Sequence, residues 1–124
     1  MSNRFVVQKH DAQNLHYDFR LEIDGVLKSW TVPKGIPQED GEKNLAIRTK
    51  DHEIDYIDFE GKIPEGEYGA GEVEIWDEGK YEIEKKEEEE LKFKLSGEKI
   101  SGKFVIVPFE SSGDEDNYLL IKLS

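Results

Sequence analysis

Residues 15–23, LHYDFRLEI, alternate without exception, and Asp24-Gly25 follows at once. Leu15, Tyr17, Phe19, Leu21 and Ile23 fall on one face of an extended chain, and His16, Asp18, Arg20 and Glu22 on the other. Strict period two is the pattern of a strand with one face buried and cannot form the apolar stripe of a helix. Asp-Gly is a strong signal for a two-residue type I′ turn, which needs positive φ at both central positions. Residues 26–32 therefore return as an antiparallel partner, and Pro33 stops them.

The rest of the chain repeats this scale of organisation. Residues 5–9 read as a short strand ending at His10, and residues 11–14 as a turn. A loop runs over 33–41, and residues 45–50 form another strand whose parity, if it extends, puts Asn44, Arg48, Lys50 and His52 on one side. Asp51 is placed to cap a single helical turn in which His52 and Tyr56 share a face, ended by Gly61. The glycine-rich stretch 63–71 lacks the Gly-Lys-Ser/Thr ending of a Walker loop and reads as a tight connection. Residues 72–76 and 80–84 are predicted as a hairpin around Asp77-Glu78-Gly79, with the charge run 85–90 as a solvated tip. Residues 91–95, 102–109 and 118–123 supply further strands, joined by turns at 96–99 and 111–116. About eight or nine short strands, at most one short helix, no repeat and no linker predict one domain over 1–124. The expected fold is all-β, a small closed antiparallel β-barrel of about eight strands, because closure removes exposed sheet edges.

Bulk properties narrow the function. With 124 residues and no cysteine, the chain can bury one core, and disulfides, thiolate metal sites and thiol nucleophiles are excluded. No apolar run is long enough for a signal peptide or a membrane span, so a cytoplasmic monomer without membrane association is expected. The net charge of -12 is uneven: residues 1–50 hold 8 Lys/Arg against 7 Asp/Glu, and residues 51–124 hold 9 against 22. Such a chain does not attract long nucleic acid by its general field, so recognition of a polyanion must be local and lie in the first half.

All three histidines, His10, His16 and His52, are in that half. His16 and Asp18 sit roughly 7 Å apart in Cα terms on one strand face, within reach of a common ion. His10 can complete a two-histidine, one-carboxylate set, which suits Mn, Fe or Zn better than Ca or Mg. The bland alternative is a pair of structural histidines. Arg20 shares the face of Asp18 and can bind a phosphate bidentately, against the alternative of a salt bridge to Glu22 or another carboxylate. His52 and Tyr56 add an imidazole and a hydroxyl. Ion, Arg clamp and a His52 expected as imidazolium together make a reasonable phosphoryl-transfer site.

Residues 5–12 (FVVQKHDA), 15–22 (LHYDFRLE) and 24–35 (DGVLKSWTVPKG) closely resemble the 3′-phosphoesterase module of bacterial DNA ligase D. So do Asp51-His52, Tyr56, residues 58–61 (DFEG), 63–71 (IPEGEYGAG) and 118–122 (YLLIK). The resemblance covers nearly the whole chain and points to a stand-alone member with no ligase or polymerase domain attached. It implies a compact β-barrel and a manganese-dependent enzyme that trims 3′ ends in DNA break repair. One activity removes a terminal 3′ ribonucleoside and leaves a 3′-phosphate; the other hydrolyses that phosphate to a 3′-OH. The implied substrates are DNA primer-template 3′ ends bearing ribonucleotide or phosphate, and the implied partners are separate ligase and polymerase chains. Position by position, the resemblance makes His10, His16 and Asp18 metal ligands, puts Arg20 and His52 on the scissile phosphate, and matches Tyr56 and Lys34 to further active-site positions.

The chain also departs from the family. Asn44 stands where a basic residue often precedes the next strand, which bears on the phosphomonoesterase step, and Arg48 has the parity to compensate. The longer N-terminal segment of the ligase-fused members is expected to be missing. Glu22 is left without a role, and its parity predicts a bond to Arg20 or to a ligand histidine. Two rival readings remain: a non-catalytic 3′-end-binding or partner-binding module, and a facial-triad iron oxygenase built from His16, Asp18 and the remote His52.

Overall fold

The computed structural model describes residues 3–67, 69–87 and 89–124. Nine strands follow in order: β1 (Arg4–Asp11), β2 (Leu15–Ile23), β3 (Val26–Val32), β4 (Lys43–His52), β5 (Gly61–Ile63), β6 (Gly71–Lys86), β7 (Leu91–Gly97), β8 (Ser101–Pro108) and β9 (Asn117–Lys122). Their order in the sheet is β1-β2-β3-β4-β9-β8-β7-β6-β5, and β6 also pairs with β1. That pairing closes eight antiparallel strands into a barrel, with β5 added outside the start of β6. Two single 3-10 turns, Ile54–Asp58 and Glu110–Ser112, are the helical elements among the described residues. No helix of the described residues is long and apolar enough to cross a membrane.

The alternation of β2 works as its sequence predicts from Tyr17 onward, while Leu15 at the start of the strand is exposed. Phe19 and Leu21 point into the barrel with Phe5, Val7, Phe93 and Phe104. Phe93 stacks on Phe19 at 5.8 Å and on Phe104 at 6.2 Å. The turn at Asp24 (φ 52) and Gly25 (φ 84) carries the two positive φ values expected. It sets the β2–β3 register, placing Arg20 opposite Ser29 and Asp18 opposite Thr31. The polar face of β2 therefore lies outside the barrel wall, beside β1 and β3. A second, small apolar cluster of Val6, Leu27 and Ile57 seats the Ile54–Asp58 turn on that outer face.

Three local expectations are corrected. Residues 72–84 form no hairpin, because β6 runs unbroken from Gly71 to Lys86. Asp77 is 4% exposed, and its carboxylate accepts N–H bonds of 2.9–3.0 Å from Glu78, Glu98, Lys99 and Ile100. What looks like turn chemistry is an anchor for the β7–β8 turn. Nor does Asp51 cap a helix: it lies within β4 and accepts from Arg48 Nη2 at 3.0 Å, while Glu53 precedes the 3-10 turn without a side-chain cap. The third correction concerns parity along β4. Between Ser29↔Thr49 and Leu27↔His52 the register shifts, with three steps on β4 against two on β3. This bulge turns His52 to the outer face, whereas Arg48, opposite Trp30, faces the inner side. The predicted tip at 85–90 is a tight connection, with Glu87 N–H on Glu90 O at 2.9 Å; Glu88 lies outside the described residues.

Candidate active site

The outer face of β1, β2 and β3 collects the polar residues that alternation excludes from the core. Across β1–β2, His10 pairs with His16 and Gln8 with Asp18. His10 and Asp18 are each 7% exposed, and Arg20 is 4% exposed. They line an open cavity of about 380 Å³ together with His16, Thr31, Thr49, His52, Tyr56 and the 12–14 loop.

One end of the cavity has the chemistry of a metal centre. One ligand atom each from His10, His16 and Asp18 lie within 4.8 Å of one another. His10 Nε2 is 2.6 Å from Gly69 O, and His16 Nδ1 is 3.0 Å from Asn14 O. A carbonyl only accepts, so each of these ring nitrogens carries its proton toward the backbone. The other nitrogen of each ring then presents a lone pair. His10 Nδ1 lies 3.2 Å from Asp18 Oδ2, and His16 Nε2 lies 3.5 Å from Asp18 Oδ1. Lone pairs facing a carboxylate call for a cation between them, a proton or a metal ion, so the donor set fits a divalent transition ion. Asp18 is further held by Thr31 Oγ1–H at 3.0 Å. Burial pushes the Asp18 carboxyl up, but His16, the Arg20 charge and Thr31 outweigh it and hold the group below its ordinary value. The hydrogen bond with Asp18 raises His16 against the lowering by burial.

The glycine-rich stretch contributes to this end. Gly69 has φ 78, a conformation that favours glycine, and its carbonyl receives His10. At Gly71 a Cβ would collide with the Asp11 carbonyl, so only glycine lets β6 start against the end of β1. Tyr68 lies outside the described residues.

The other end is cationic and aromatic. Arg20 donates Nε–H to Gln8 Oε1 and Nη1–H to Ser29 Oγ, both at 2.7 Å. Its Nη2 lies 3.6 Å from Asp18 Oδ2, and its guanidinium carbon stands 4.9 Å from the Tyr56 ring centre. Burial lowers the Arg20 pKa, against the Asp18 charge. The His52 ring rests on Tyr56 at 5.0 Å, and its Nδ1 is 2.9 Å from Lys50 O and 3.1 Å from Arg20 Nη1. One nitrogen cannot donate to the carbonyl and accept from the guanidinium at once. The shorter contact assigns the proton to the Lys50 bond and leaves Nε2 for the cavity. Burial, reinforced by Arg20, lowers the His52 pKa, so the imidazole is neutral at pH 7 rather than the imidazolium that the sequence reading assumes. Burial raises the Tyr56 phenol.

The structure thus gathers His10, His16, Asp18, Arg20, His52 and Tyr56 in one cavity. It does not bring the other candidates there. Arg48 lies over Trp30 at 5.5 Å and pairs with Asp51. Glu22 shares the outer face but sits beyond Arg20, with Arg4 Nε at 3.8 Å, and bonds neither Arg20 nor a histidine. Lys34 is exposed in the turn after β3, where Gly35 N–H bonds Val32 O at 3.2 Å. Asn44 is buried and donates to Gly35 O at 2.7 Å, a bond within the scaffold. His52 stands beside Arg20, apart from the His10–His16–Asp18 set, so the oxygenase triad through His52 is not assembled. Gln8, Ser29 and Thr31 escaped the sequence reading. Counting back from the Asp24-Gly25 turn would have placed Ser29 beside Arg20 and Thr31 beside Asp18.

Comparison with known proteins places this architecture. The family model for the DNA ligase D 3′-phosphoesterase domain matches residues 8–108. The chain belongs to this family. It is 48% identical over 124 residues to the multifunctional non-homologous end joining protein LigD of Pseudomonas aeruginosa, covering 96% of the chain and 15% of that protein. To LigD of Mycobacterium tuberculosis it is 49% identical over 116 residues (90% of the chain, 15% of the relative), and to that of Mycolicibacterium smegmatis 47% over 117 (86% and 15%). The chain spans about 15% of the length of these LigD relatives. The match takes in every residue that lines the cavity, from His10 to Gly69.

Proposed function

We propose that this phosphoesterase domain is a manganese-dependent 3′-end-processing enzyme acting in non-homologous end joining. The observation that carries the reading is the juxtaposition of a His10–His16–Asp18 donor set with the buried Arg20 guanidinium in one open cavity. Bound there, a divalent ion such as Mn²⁺ supplies Lewis acidity toward a phosphate oxygen.

The residues of the chain do the rest. Arg20 is held on Nε and Nη1, so its Nη2 edge meets the phosphate and stabilises charge building on the equatorial oxygens. His52 approaches with Nε2. The arriving phosphate charge counters the burial and the Arg20 field that keep the imidazole neutral, so a proton can be held between His52 and the ester. In the ribonuclease step water adds to phosphorus, the bond to O5′ of the terminal ribonucleoside breaks, O5′ takes a proton and leaves as the nucleoside hydroxyl, and the phosphate stays on the preceding 3′ oxygen. In the phosphatase step water adds again, the P–O3′ bond breaks, O3′ takes a proton, and a 3′-OH remains. A ligase and a polymerase would consume that end. With Asn44 engaged in the scaffold, Arg48 turned away and Lys34 outside the cavity, the phosphatase step relies on Arg20 and His52.

Incubation with a DNA primer-template whose primer ends in one or two ribonucleotides, with and without Mn²⁺, tests this. Loss of a nucleoside followed by loss of phosphate, only with the ion, is expected. Binding without turnover would establish the non-catalytic module instead.

A further inference from the structure

Gln8 is fully buried on a polar face that touches the cavity, yet it does not line the cavity itself. It lies on β1 opposite Asp18, at the point where the β1–β6 register shifts. Its amide makes three bonds. Oε1 accepts from Arg20 Nε at 2.7 Å, and Nε2 donates to Tyr56 O at 3.0 Å and Phe59 O at 3.3 Å. The orientation is dictated by the partners: an inverted amide would press N–H against N–H at Arg20 and oxygen against two carbonyls. Tyr56 O also closes the 3-10 turn by accepting from Phe59 N–H at 3.1 Å. The turn so held carries the Tyr56 ring, which packs under Arg20 and against His52.

We propose that Gln8 is a positioning residue that locks the Arg20 guanidinium and the Tyr56 turn into one rigid unit, so that the phosphate clamp and the aromatic wall of the cavity keep a single geometry. The proposal rests on Arg20 being the phosphate-binding group. Without the Gln8 oxygen, Arg20 keeps Ser29 on Nη1 and pivots about it, moving the Nη2 edge away from the cavity. Without the Gln8 nitrogen, two carbonyls of the turn lose their donor and Tyr56 loosens. Glutamine is the one side chain of this length that offers an acceptor to a cation and a donor to carbonyls from the same planar group.

Two variants separate the halves. Gln8→Met keeps length and removes both functions; Gln8→Glu keeps the acceptor for Arg20 and sets a carboxylate against the two carbonyls. The Arg20 Nε–H signal in ¹⁵N–¹H spectra, assigned with Arg20→Lys and recorded without metal or substrate, reports the first half directly. In the wild type and in Gln8→Glu it should exchange slowly, and in Gln8→Met at least tenfold faster. On an oligonucleotide with a 3′-phosphate, kcat/KM should fall ten- to a hundredfold in Gln8→Met, while Mn²⁺ affinity measured by EPR stays within twofold. A fast-exchanging Nε–H in the wild type, an unchanged one in Gln8→Met, or a parallel loss of Mn²⁺ affinity would overturn the proposal. If the wild type leaves the 3′-phosphate intact, the phosphoesterase reading fails while the spectra still decide whether Gln8 holds Arg20.

Discussion

Replacing Arg20 by lysine keeps the charge and removes the fork. In the wild type, Nε and Nη1 each make a 2.7 Å bond, to Gln8 and Ser29, while Nη2 lies 3.6 Å from Asp18. One ammonium cannot reach all three. Ser29 Oγ still donates to Leu27 O at 3.1 Å, so it is not orphaned. Gln8 Oε1, in a residue of 0% exposure, is. An orphaned buried acceptor costs about 1–3 kcal/mol, and each lost bond to a charged donor about 1.5–3 kcal/mol, with part recovered by the ammonium. A net destabilisation of about 3–5 kcal/mol is expected, in line with disrupting other buried charged networks. That is a large share of the roughly 5–15 kcal/mol of a domain, so the variant folds but melts at least about 10 °C lower. Turnover should fall by about 10²–10³, the range for losing one oriented transition-state donor. Thermal unfolding followed by circular dichroism measures the first effect, and phosphate release from a 3′-phosphate oligonucleotide the second. A melting temperature within about 3 °C of wild type would refute the network energetics; turnover within twofold would refute the role given to Arg20.

Further outcomes follow from the same geometry. His16→Ala removes one of three donors, so Mn²⁺ affinity should drop more than about 100-fold, beyond what loss of an outer hydrogen-bond partner does, with both hydrolytic steps lost; titration calorimetry and the ribonucleotide primer assay check it. Asp77→Ala leaves three N–H groups of the β7–β8 turn and that of Glu78 without their acceptor. It should cost about 2–4 kcal/mol in urea unfolding at the level of a few lost charge-assisted bonds, with Mn²⁺ affinity unchanged. His52 is held below its ordinary value of 6.5 by burial and Arg20, so the unfolded chain takes up the proton first as pH falls. Its contribution is present above 6.5 and is lost as pH drops below that, so wild type should lose stability relative to His52→Gln between pH 7 and 5; a constant difference across that range would contradict the assignment.

What could be read from residues alone is what depends on local periodicity. The barrel class, the inward set from Tyr17 to Ile23 and the outward set His16, Asp18, Arg20 follow from period two in β2, and the β2–β3 register follows from a two-residue turn. His10 joins them because a short turn forces it opposite His16. Elsewhere local chemistry misled. Asp77 reads as a turn residue because its acceptors' partners lie 21 to 23 positions away. Arg48 and His52 read as neighbours on one face because nothing in β4 announces the bulge that separates them. One extra residue in a strand reverses the facing of everything beyond it, and whether it is accommodated depends on the partner strand.

The all-β class, the hairpin register and the three donors on one side of a strand are local properties of the residues, since each rests on spacing within about twenty positions. That this face lies outside the barrel, that Gly69 O sets the tautomer of His10, that His52 meets Arg20 while Arg48 does not, and that Gln8 binds Arg20 to the Tyr56 turn all come from long-range folding. Those contacts join segments up to 59 positions apart, and barrel closure through the β1–β6 pair together with the β4 bulge, not any local preference, brings them within hydrogen-bond distance.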